Sequence, residues 1–142
     1  MAERLKLAFI GCGAIARYHL DGIKEHAPRI EVTAAVDLDA DKAQAYADET
    51  GGRAFTSLAE ALEKGDFDAV DLMLPHDLHE EAATQCFEAG KHVLLEKPMS
   101  LDLDSCERIL AAARAAGTVF MMAENAQYWP EIVKAAEVIE SG

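Results

Sequence analysis

Leu7-Ala8-Phe9-Ile10-Gly11-Cys12-Gly13-Ala14-Ile15-Ala16 is the stretch on which the fold turns. Its apolar half has the length of a strand and stops at two glycines, and a helical pattern starts at once. Strand, tight glycine turn and helix form the context in which G-x-G-x-x-G/A binds a dinucleotide. Gly11 permits the tight turn. Gly13, lacking a Cβ, lets the backbone approach a pyrophosphate, and Ala16 keeps the helix close to the sheet. Phosphates would then meet the N–H groups and positive dipole end of the first helix, across Gly11, Cys12, Gly13, Ala14 and Ile15.

Outward from that turn the chain alternates between strand-like and helix-like runs. The first helix spans about 14–24 and presents Ile15, His19 and Ile23 at helical spacing, so His19 reads as a packed histidine on an apolar face. A second strand at 31–36 ends at Asp37. An alanine-rich helix over 39–50 closes at Gly51-Gly52, and Arg53-Ala54-Phe55 is a short third strand. Ser57 and Glu60 have capping-box spacing for a brief helix that Gly65 stops. The fourth strand, 68–74, cannot continue through Pro75. Asp77 is placed to cap a helix running to Ala89. A fifth strand at 91–95 ends in Glu96-Lys97-Pro98. Asp102 caps a further helix with Leu103, Cys106, Leu110 and Ala113 inward, a sixth strand covers 118–123, and Pro130 sits in the first turn of a last helix. Such alternation predicts an α/β fold: a doubly wound, mainly parallel six-stranded sheet of Rossmann type, with 1–142 as one dinucleotide-binding domain.

In such sheets ligands bind beyond the carboxyl ends of the strands. The residues that carry chemistry all fall there. Asp37 stands near the roughly 20-residue spacing past the glycines at which a carboxylate meets the adenosine ribose, and such a group repels a 2′-phosphate. The alternative is that Asp37 only opens the turn Asp37-Leu38-Asp39. Leu74-Pro75-His76 and His79 follow strand four, Glu96 and Lys97 follow strand five, and Glu124 and Asn125 follow strand six. His76, His79 and Glu80 supply too few ligands for a metal. Cys12 occupies the variable middle of the glycine turn, where a small residue is tolerated, although a thiolate at a helix N-terminus is the competing reading. Tyr128 and Trp129 suit either stacking on a substrate or anchoring the last helix.

The balance of 13 Lys+Arg against 26 Asp+Glu leaves a net charge of -13, which disfavours a nucleic-acid partner. No apolar run is long enough for a membrane span, and Met1-Ala2-Glu3-Arg4 lacks a signal-peptide pattern. Three cysteines without metal-type spacing suggest a reduced, cytoplasmic protein.

Gly11-Cys12-Gly13-Ala14-Ile15-Ala16, Val36-Asp37, Leu74-Pro75-His76-Asp77-Leu78-His79 and, above all, Gly90-Lys91-His92-Val93-Leu94-Leu95-Glu96-Lys97-Pro98 resemble the Gfo/Idh/MocA oxidoreductases over essentially the whole chain. The resemblance implies NAD(P)-linked chemistry at a secondary alcohol of a sugar, cyclitol or similar polyol, with NAD favoured over NADP by Asp37. It places Lys97 beside the reacting hydroxyl as the catalytic residue, Glu96 against the nicotinamide ribose or Lys97, and His79 at the nicotinamide pocket. It also implies a cis peptide at Lys97-Pro98. His76 stands where the family often has Asn. Family enzymes continue into a second α/β domain, so the expectation is a chain that binds cofactor without turnover of its own and self-associates through the surface left open. A methyltransferase would have no use for Glu96-Lys97-Pro98. A non-catalytic nucleotide-binding redox sensor or regulatory domain remains the alternative.

Overall fold

The computed structural model describes residues 4–142; Met1, Ala2 and Glu3, from the N-terminus that lacks a signal-peptide pattern, lie outside the described residues. Six strands form one parallel sheet: β1 (Leu5–Ile10), β2 (Ile30–Val36), β3 (Arg53–Phe55), β4 (Ala69–Leu72), β5 (His92–Leu95) and β6 (Phe120–Met122). Their order is β3-β2-β1-β4-β5-β6. The helices between and after them are α1 (Ala14–His26), α2 (Ala40–Thr50), α3 (Leu58–Lys64), α4 (His79–Glu88), α5 (Leu103–Ala116) and α6 (Pro130–Glu140). Since β1 pairs with both β2 and β4, the order reverses there and leaves a crevice at the carboxyl ends of those strands. This is the doubly wound fold that the alternation predicts.

Side chains of a strand point alternately to the two faces, so each strand feeds two cores. On one face Leu7, Phe9, Val32, Ala69 and Met73 pack with Ala16 and Leu20 of α1 and with Tyr46 of α2. On the other, Ala8, Ile10, Val70, Leu72, Val93 and Leu95 pack with Ala82, Ala83 and Cys86 of α4 and with Ile109 and Ala113 of α5. The near-unbroken apolar runs of β1 and β4 follow from burial on both sides.

Three local expectations are corrected. Asp77 makes no capping bond: it lies in a 3-10 turn, His76–Leu78, and Leu78 takes the cap position of α4. In α5 the inward face is Ser105, Ile109 and Ala113, whereas Leu103 is 80% exposed; the helix is rotated so that its apolar first residue faces solvent. In α1, Ala16 and Leu20 form the buried stripe, while Ile15 and His19 turn toward a cavity. No described helix is long and apolar enough to cross a membrane.

Candidate cofactor and active site

Gly11 has φ +95, and its N–H donates to the Val36 carbonyl at 2.8 Å. A Cβ there would lie 2.4 Å from the Met73 oxygen, so the fold itself demands glycine. Gly13 is different. Its φ of -81 suits any residue, and a Cβ would meet nothing within 4 Å. No contact among the described residues requires glycine at this exposed N-cap position, and its bare backbone is open to close approach from solvent. The helix that follows carries neither a capping side chain nor an acidic residue in its first turn. Asp39, Ser57 and Asp102 cap α2, α3 and α5. The first N–H groups of α1, like those of α4 and α6, receive no side-chain cap, and at α1 no acidic side chain of the first turn would oppose an anion.

Cys12 is buried, and burial together with Asp37 pushes its thiol up to about 12, which removes the thiolate reading. Its N–H donates to Asp37 Oδ2 at 2.8 Å, and the Asp39 N–H donates to Asp37 Oδ1 at 2.9 Å. Asp37 therefore does open its own turn, and it also braces the glycine turn. Each oxygen keeps a further lone pair for a hydroxyl donor. Beside it lies a cavity of about 270 Å³ with walls from Ile10, Asp37, Leu38, Thr56, Leu74 and Leu78. Leu38 is 89% exposed over that cavity.

A second cavity, of about 680 Å³, opens on the other side of the turn. Ile15, His19, Glu96, Lys97 and Asn125 line it, with Tyr128 and Trp129 at its wall. These two rings are 67% and 55% exposed, so they are available to a ligand and contribute little to anchoring α6. Lys97 is exposed, its peptide bond to Pro98 is cis, and its N–H donates to Glu96 Oε2 at 2.9 Å.

The structure does not bring every candidate residue to a cavity. Pro75 and His76 sit exposed on the turn before α4, outside the linings of both cavities. His79 is fully buried: one ring nitrogen lies 2.9 Å from the Leu74 carbonyl, the other 3.1 and 3.2 Å from those of Pro98 and Met99. It ties the end of β4 to the cis turn after β5 and lies outside the linings of both cavities. Among the described residues no group of three His, Cys, Asp or Glu is placed to hold a metal.

One polar cluster is absent from the sequence reading. His19 is not packed among apolar groups: its Nδ1 lies 2.7 Å from Asp71 Oδ2 and its Nε2 lies 3.1 Å from Glu96 Oε1. The hydrogen bond to Asp71 raises the His19 pKa above its ordinary value. Asp71 is 1% exposed; burial pushes its carboxyl upward, and His19 opposes that. A signal was present, since an acid inside the apolar run Ala69–Leu74 needs a partner when buried.

Comparison with known proteins gives this geometry a setting. Residues 5–124 match the sequence profile of a family described as "Oxidoreductase family, NAD-binding Rossmann fold". A dTDP-3,4-didehydro-2,6-dideoxy-alpha-D-glucose 3-reductase from Actinomadura kijaniata is 33% identical over 141 residues, 99% of this chain and 42% of the reductase. The WlbA dehydrogenase of Bordetella pertussis, solved with NADH and UDP-GlcNAcA, superimposes with a TM-score of 0.94 at 30% identity, over 100% of this chain and 41% of that one. A 3-ketoreductase from Actinomadura kijaniata, solved with TDP-benzene and NADP, gives 0.89 at 33% identity, over 99% and 44%. The chain thus spans about two fifths of the relatives it matches.

Proposed function

We propose, from the premise that this chain belongs to the Gfo/Idh/MocA family of oxidoreductases, that it is the nicotinamide-nucleotide site of an enzyme acting on a secondary alcohol of a sugar, cyclitol or related polyol. The observation that carries the reading is Gly13: open space where a Cβ would stand, at the N-terminus of a helix with no side-chain cap and no acidic residue in its first turn. That arrangement fits a pyrophosphate. The smaller cavity beside Asp37 and Leu38 suits the adenosine end, with the Asp37 carboxylate accepting from the ribose hydroxyls and disfavouring a 2′-phosphate. The larger cavity suits the nicotinamide end and the substrate.

The bound cofactor supplies or accepts the hydride. What the chain contributes there is Lys97, whose ammonium would donate to the substrate oxygen and stabilise negative charge on it while the C–H bond breaks. Glu96 holds the main-chain N–H at which the cis turn begins. Ile15 and Asn125, which line the same cavity, would bound the nicotinamide. Substrate choice and turnover belong to the whole enzyme, and the chain alone is read as binding cofactor without turning over. Calorimetric titration of the chain with NADH, NADPH and S-adenosylmethionine tests the proposal. Saturable binding of a nicotinamide nucleotide is the expected result, and binding of S-adenosylmethionine alone would overturn it.

A further inference from the structure

Three acidic or basic side chains from three elements meet at the larger cavity, His19 and Glu96 in its lining and Asp71 buried behind them. His19 comes from α1, Asp71 from the middle of the sheet on β4, and Glu96 from the end of β5. Both ring nitrogens of His19 therefore face carboxylate oxygens. A neutral imidazole has one N–H and serves only one of them, whereas one further proton on the set lets His19 bridge both. Glu96 uses its other oxygen on the Lys97 N–H. The chain of contacts runs from a buried strand acid to the main chain of the residue read as catalytic.

We propose that His19 and Asp71 are positioning residues: the imidazole, fixed by Asp71, holds the Glu96 carboxylate and so the start of the Lys97 turn, and it releases Glu96 when the bridging proton leaves. The inference rests on the functional reading above, because it gives the network its purpose through Lys97. Asp71 supports it independently. Among the described residues Asp71 Oδ1 has no hydrogen-bond partner although the residue is 1% exposed, so His19 is the one side chain there that pairs with the carboxylate. Such burial is costly unless the pair is kept together.

The direction of the pH effect follows from the raised His19 pKa, whose chief cause is the Asp71 hydrogen bond, with Glu96 adding to it. The bridging proton is fully held below the ordinary histidine value of 6.5 and is lost as pH rises through the raised one. The groups facing His19 are Asp71 from β4 and Glu96 after β5; Lys97, Glu124 and Tyr128 share the cavity, and Tyr18 is its neighbour on α1.

Two measurements on the 142-residue chain test this. In ¹⁵N-labelled protein the His19 ring nitrogens should titrate above 6.5, and Asp71→Asn should move that midpoint down. A midpoint at 6.5 or below, or one that Asp71→Asn leaves in place, overturns the proposal. NADH and ADP-ribose are then titrated from pH 6 to 9. ADP-ribose lacks the nicotinamide, so it reports only the glycine turn and Asp37. His19→Gln should weaken NADH about tenfold, the effect of losing one charge-assisted hydrogen bond, and leave ADP-ribose within about twofold. The pH dependence of the NADH to ADP-ribose ratio should vanish in that variant. Equal weakening of both ligands would mean a merely structural role and overturn the inference. If neither ligand binds the unaltered chain, the functional reading fails instead, and the His19 titration still decides whether the network exists.

Discussion

Replacing Gly13 by aspartate separates what the fold needs from what a phosphate needs. Aspartate is among the best N-cap residues and favours a helix N-terminus, and a Cβ at this position has no atom of the described residues within 4 Å. Gly13→Asp should leave folding stability unchanged or raise it by up to about 1 kcal/mol, and should abolish NADH binding. Denaturant unfolding and calorimetry read the two effects, and a variant that binds NADH as well as before would remove the phosphate from this turn. Asp37 supports a second expectation. NADH should bind more tightly than NADPH by roughly 1–3 kcal/mol, the scale of charge-assisted hydrogen bonds. Asp37→Ala should narrow that gap while weakening NADH as well, because Asp37 Oδ2 also holds the Cys12 N–H. Tighter NADPH binding by the unaltered chain would refute it. The glycines and Asp37 are legible in sequence because their spacing along one βαβ unit is local. The His19–Asp71–Glu96 cluster is not, since its members lie 52 and 77 positions apart and meet only through the strand order.

Among the elements, the helix starts show where local chemistry governs and where backbone shape overrides it. Ser57 and Asp102 cap as their sequences indicate, Ser57 accepting from the Glu60 N–H at 3.2 Å and Asp102 from the Ser105 N–H at 2.8 Å. Asp77 has an equally suitable side chain, but Pro75 at φ -54, ψ 142 leads into a 3-10 turn, and Asp77 falls inside it. Asp102→Ala should therefore cost about 1 kcal/mol of unfolding free energy, and Asp77→Ala less than about 0.5. Urea denaturation of the two variants checks the contrast; equal losses would mean that Asp77 caps after all. The face that a helix buries is harder to read than its start. In α5, Leu103 and Ile109 both suit an apolar stripe, and only packing on α4 and β5 selects the face with Ile109. In α1, packing against Leu7 and Phe9 of β1 selects the face with Ala16 and Leu20, which frees Ile15 and His19 for the cavity.

At the scale of the whole molecule, two apolar surfaces and a strong net charge act against each other. α6 buries none of its residues, and Trp129, Ile132, Val133 and Ile139 are 55%, 47%, 42% and 79% exposed. On the α1 side of the sheet, Tyr18, Ile23, Leu94, Val119 and Met121 line an open groove of about 390 Å³. Contiguous apolar surface of this kind favours association. The charge of -13 opposes it by repulsion between copies, and that repulsion is screened over about 10 Å at 0.1 M salt and about 3 Å at 1 M. Hydrophobic contact does not weaken under the same change. The expected outcome is self-association that strengthens with salt, the reverse of an ion-paired interface. Sedimentation equilibrium at low and high sodium chloride measures it directly. Val133→Asp with Ile139→Asp should return the chain to a monomer under both conditions, without a change in far-UV circular dichroism beyond the contribution of α6. A chain that stays monomeric at high salt would show that these faces do not seek one another, and an assembly that dissociates as salt rises would place the contact on charged groups elsewhere.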